Sequence, residues 1–131
     1  MLRLVIATAA LVTLSCGVLQ DRETAEKAVD RFHELFNEAS YSVIYNEADP
    51  EFRRSTRVPD FDGLLHSAQR SLGALQQARR TSSQVDGSTV SLTYESDFAK
   101  GKATERFAFA IRDGRAYLLS YDLRSPTLVV R

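Results

Sequence analysis

The sequence predicts an α+β fold, three helices followed by a four-stranded antiparallel meander. Three observations carry this reading. Apolar residues recur with helical spacing up to Gly73, and beyond it they alternate with a period of two. Two Asp-Gly turn signals, Asp86-Gly87 and Asp113-Gly114, divide the second half into strands joined by hairpins. One meander face must cover the helices, because each layer has an apolar stripe to bury. At 131 residues the chain has room for one core. Its 44% hydrophobic and 26% charged residues exclude global disorder.

The chain opens on Met1-Leu2-Arg3 and then carries no charge from Leu4 to Leu19. That apolar run is short of the roughly 20 residues a membrane-spanning helix needs, and it has the layout of an export signal. Within it, Val12-Thr13-Leu14-Ser15-Cys16 resembles the bacterial lipobox, where the cysteine is lipidated and becomes the new N-terminus. The expected organisation is a lipoprotein signal peptide over 1–15, a lipidated Cys16 with a short tether over 16–20, and a single α+β domain over 21–131. Gly17 follows the cysteine in place of aspartate, which in such lipoproteins implies an outer-membrane position facing the periplasm. The membrane, through lipid on Cys16, is therefore the first expected partner.

Asp21 to Ala39 has the strongest helical pattern, with Ala25, Ala28, Val29, Phe32, Leu35, Phe36 and Ala39 on one face. Asp21 and Glu23 suit the positive end of its dipole. Tyr41, Ile44, Tyr45 and Ala48 mark a second, shorter helix, stopped by Asp49-Pro50. Glu51 to Val58 reads as an irregular basic loop. Asp60 is the expected cap of a third helix carrying Phe61, Leu64, Leu65, Ala68 and Leu72, which Gly73 terminates. Leu75 to Val85 is a polar strand candidate. Val90, Leu92 and Tyr94 alternate with polar residues in the next. Ala103, Glu105, Phe107, Phe109 and Ile111 share a face of the third, and Tyr117, Leu119, Tyr121 and Leu123 alternate in the fourth.

This order, with Glu51-Phe52-Arg53 and the Arg70-Ser71-Leu72-Gly73-Ala74-Leu75 entry to the sheet, resembles the nuclear transport factor 2-like, or cystatin-like, superfamily and its small bacterial members. The resemblance implies a curved sheet wrapped as a cone around the first helix. It also implies a strand between the second and third helices, here to be supplied by Phe52 to Val58, and dimers formed through the sheet face.

Charge and chemistry narrow the function. Seventeen basic residues balance seventeen acidic ones, which argues against a dedicated nucleic-acid binder. A single cysteine excludes a disulfide framework and a cysteine-rich zinc site. No phosphate loop, nucleophile elbow or metal-binding histidine spacing occurs, so no catalytic residue, metal or cofactor is assigned. His33 falls roughly 100° and His66 about 140° from the centres of their helices' apolar stripes, and both are expected toward solvent, so that substituting His33 should be nearly neutral. Asp97 and Asp122 are the carboxylates to check for a cone-mouth position, and their sequence context assigns neither as a general base. Of the five tyrosines, Tyr41 and Tyr45 are ligand candidates. Residues 20–50 carry three basic and eight acidic side chains, whereas 51–80 carry six arginines against Glu51, Asp60 and Asp62. Arg53, Arg54 and Arg57 are therefore the expected docking residues for an anionic or protein partner in the envelope, arginine's planar fork suiting carboxylates and phosphates. The sequence thus reads as a membrane-anchored lipoprotein with a binding domain. Its rivals are a cavity-based hydrolase or isomerase and a structural accessory subunit.

Overall fold

A computed structural model describes residues 12–130, with side chains from residue 16 onward. Four helices precede the sheet: α1 (Val12–Asn37), α2 (Tyr41–Glu47), α3 (Pro50–Ser55) and α4 (Val58–Leu72). β1 (Leu75–Asp86), β2 (Thr89–Phe98), β3 (Gly101–Arg112) and β4 (Arg115–Arg124) then form one open antiparallel sheet in the order β1-β2-β3-β4. The α+β class and the four-strand meander are as expected.

The helices differ from expectation in two places. α1 starts at Val12, so residues 16–20 are helical, with all five exposed. Residues 1–11 of the expected signal peptide lie outside the described residues. Between α2 and α4 the chain is neither an irregular loop nor the strand the superfamily resemblance implies. It is the helix α3, and Arg53 and Arg54 stand on it. The cause is Asp49-Pro50, which ends α2 and also starts α3. Proline fits the first helical turn, and the Asp49 side chain accepts a 2.9 Å hydrogen bond from the Glu51 N–H. α4 likewise begins earlier than expected, with Arg57 rather than Asp60 before its first turn.

The turn chemistry matches the residues. Gly73 ends α4 at φ +76°, and Asp113 and Gly114 both have positive φ, the geometry of a two-residue hairpin turn. α1 lies across all four strands. Its buried residues Ala25, Val29, Phe32, Leu35 and Phe36 meet Val90, Leu92, Tyr94, Phe107, Phe109 and Leu118 from the sheet. Phe107 is the hub: its ring lies 5.1 Å from Phe32, 5.0 Å from Tyr121 and 5.9 Å from Tyr94. A second aromatic group, Tyr45, Phe52 and Phe61, joins α2, α3 and α4.

Strand β4 departs from simple alternation. Phe107 faces Tyr121 and Phe109 faces Leu118, so an irregularity between 118 and 121 shifts the phase. Ala116 and Leu118 point inward before it, and Tyr121 and Leu123 after it. Tyr117 therefore lies on the opposite face from Tyr121, although the sequence alternation groups them.

Candidate functional site

Two polar constellations stand out. The first is buried. Glu105 is fully enclosed on the inner face of β3 and receives three hydrogen bonds: His33 Nε2 at 2.8 Å and Ser96 Oγ at 2.5 Å on Oε1, and the Tyr121 hydroxyl at 2.6 Å on Oε2. Burial pushes its carboxyl up, but the hydrogen bond and charge of His33, with the Ser96 and Tyr121 hydroxyls, outweigh this and hold it below the usual range. The ionised carboxylate only accepts, so His33 Nε2 carries a proton. Burial, then the neighbouring Glu105 charge, pushes the Tyr121 hydroxyl well up, so it remains a donor. Tyr94 beside them is raised to about 12 by burial and by Glu26 and Asp30.

His33 is thus not at the solvent flank: it is 6% exposed and packed edge-on against Phe32, Tyr94 and Phe107. The apolar arc of α1 is wider than its stripe centre indicates, because a helix laid across a sheet buries residues on both sides of that centre. His33 also stands four residues after Val29 and three before Phe36, both buried. The available signal was Glu105, a charge among the inward positions Ala103, Phe107 and Phe109, which demands a buried partner. His66 is exposed, as expected, 3.6 Å from Asp62. Asp97 and Asp122 lie on the sheet face away from the helices, paired with Lys102 and Arg124. The His33–Glu105 pair has acid–base character but is walled by aromatic rings, and it fits a clamp between α1 and the sheet.

The second constellation is open to solvent. A groove of about 680 Å³ runs between α1, the α2–α3 corner and the β3–β4 turn. Five cations line it: Lys27 and Arg31 from α1, Arg53 from α3, and Arg112 and Arg115 flanking the hairpin, against one lining carboxylate, Glu47. Arg31 holds Glu47 with both ends of its fork, at 2.6 and 2.8 Å, and this bond keeps the Glu47 carboxyl below its usual range. Arg112 pairs with the buried Asp49 and lies over the Tyr117 ring at 4.3 Å, with Arg115 at 5.9 Å. Among the described residues no ion pair within 4 Å joins Lys27, Arg53 or Arg115 to a carboxylate.

The expected docking residues divide. Arg53 lines the groove and donates to the Asn46 carbonyl at 2.7 Å. Arg54 and Arg57 are exposed on other surface. Tyr41 is buried with its hydroxyl on Gln69, and Tyr45 donates to the Arg53 and Thr56 carbonyls at 3.1 and 2.8 Å, bracing α2 on α3. Lys27, Arg31, Arg112 and Arg115 were not singled out by the sequence, because α1 and the β3–β4 hairpin, far apart in the chain, bring them together.

No family model and no curated protein matches the chain. Among solved structures, it is similar to a SEC-C motif-containing protein from Rhodopseudomonas palustris, known in solution, with a TM-score of 0.52 and 18% identity over 68% of this chain and 70% of that one. At that identity the likeness concerns the fold, an α+β arrangement with an antiparallel sheet.

Proposed function

We propose that this chain is an exported lipoprotein, anchored through Cys16 in the bacterial envelope, whose domain binds an anionic partner in the groove between α1, α3 and the β3–β4 turn. The observation that carries the reading is the excess of cations over carboxylates on the groove wall. Three of those cations make no ion pair within 4 Å among the described residues, so an incoming anion displaces water from them rather than a bonded carboxylate. Arginine forks beside an aromatic ring suit carboxylate groups. A helix across the inner face of an open four-stranded sheet also supports the cone-shaped, nuclear transport factor 2-like architecture, with α3 as this chain's variation on it. The exposed stretch from Cys16 to Gln20 supports an anchor at this end, since it has no packing role.

The test is titration of fluorescent polyglutamate, a generic polyanion, with the domain. Binding is expected at low salt and should weaken steeply as salt rises. Lys27→Gln with Arg115→Gln should weaken it at least tenfold with little change in the melting curve, because both side chains are exposed. Equal binding by the double variant would overturn the groove assignment.

A further inference from the structure

Beneath the basic groove lies a second feature that charge alone does not explain. Ala28, Phe32, Leu35, Ile44, Ala48, Phe109, Ala116 and Leu118 surround a hollow of about 60 Å³, and Arg31 and Glu47 form its polar rim. Hollow and groove share Ala28, Arg31, Glu47, Ala48 and Ala116, so they are one continuous surface with an apolar floor. The two-toothed Arg31–Glu47 bond ties α1 to α2 across the rim and fixes its width.

We infer that the groove takes an acidic peptide segment of a partner protein, its carboxylates on the arginines and one aliphatic side chain seated in this hollow. The inference rests on the reading of the groove as an anion site. Volume decides between the classes of anionic amphiphile. A buried apolar cavity of roughly 150 Å³ accepts a benzene ring. A hollow less than half that size matches the end of a leucine or valine side chain better than the length of a lipid acyl chain. Charge complementarity supplies the rest: Lys27, Arg53 and Arg115 line the groove that continues from the hollow, without an ion pair within 4 Å among the described residues, and suit carboxylates flanking that side chain. Seating the aliphatic group also dries the surroundings of Arg31 on the rim, which strengthens its electrostatic interactions.

Two labelled peptides of glutamate and glycine, identical except for a central leucine in one and serine in the other, test this. The wild-type domain should bind the leucine peptide about tenfold more tightly, the value expected for burying part of one aliphatic side chain. Ala28→Leu fills the hollow from a helix position that favours leucine. It should erase the difference between the two peptides. Should that variant fail to fold, the peptide pair on the wild type decides alone. Equal affinities for the two peptides would overturn the hollow as a subsite while leaving the anion site standing. Binding of neither peptide, nor of polyglutamate, would remove both.

Discussion

A glutamate between Ala103 and Phe107 on an inward strand face must find donors or give up its charge, and Glu105 finds three. The arrangement makes His33 a structural residue, contrary to its place on the helical wheel. His33→Ala leaves a buried carboxylate with two hydroxyls and without its ring donor, and should cost about 3–5 kcal/mol, comparable to truncating a core aromatic. A urea melt within about 0.5 kcal/mol of wild type would mean that the ring is not inside. The pair also gives stability a pH dependence. The folded-state pKa of Glu105 lies below its unfolded value, so the unfolded chain binds the proton first on acidification. The contribution is therefore complete above the ordinary carboxylate range and is lost as pH falls through that range toward the folded value. Glu47 and Asp49, both lowered, act in the same direction. Glu105→Gln should be less stable at neutral pH and should lose less on going to about pH 4, near the unperturbed carboxylate value. Parallel losses in variant and wild type would assign the acid sensitivity elsewhere.

At the scale of elements, the ends of α1 and β4 show where local rules and tertiary demands meet. α1 closes at Ala39, whose φ of +58° is costly for a residue with a Cβ. The Ser40 N–H bonds to the Leu35 carbonyl at 2.8 Å and the Ala39 N–H to the Phe36 carbonyl at 3.0 Å, the double closure that glycine ordinarily supplies. The apolar periodicity carried the expected helix on to Ala39, because alanine gives no stop signal. Ala39 is exposed, so glycine there gives up little burial. Ala39→Gly should therefore raise stability by about 0.5–1 kcal/mol, less than the full left-handed penalty because glycine also has more unfolded-chain freedom to lose. A lower melting midpoint would show that the methyl group has a role in packing. In β4 the irregularity after Leu118 moves Tyr117 under Arg112 and Arg115 while keeping Tyr121 on Glu105. One phase shift thus serves both the groove and the buried cluster.

At the scale of the whole molecule, what the sequence made legible is what depends on neighbours in the chain: the α1 and α4 stripes, Gly73, and the Asp113-Gly114 turn. α3 escaped because six residues are too few to establish a helical period, and Asp49-Pro50 acts as a stop and a start at once. The groove escaped because Lys27, Arg53 and Arg115 meet only after folding, and of its cations only Arg53 was marked by its local cluster. The N-terminal end obeys the opposite logic, being local throughout. Residues 16–20 are exposed, and the first fully buried side chain of α1 is Ala25. Roughly 14 Å of helix, at about 1.5 Å per residue, separates it from Cys16. Every core side chain among the described residues lies beyond Cys16, so a lipid there would hold the domain by an exposed segment. Cys16→Ser should then abolish incorporation of a labelled fatty acid and release the protein from membranes. A domain beginning at Gln20 should melt in urea within about 0.5 kcal/mol of the longer chain. An unlabelled wild-type protein, soluble after cell disruption, would exclude the lipid anchor. A destabilised short domain would instead show that the first turns of α1 belong to the fold.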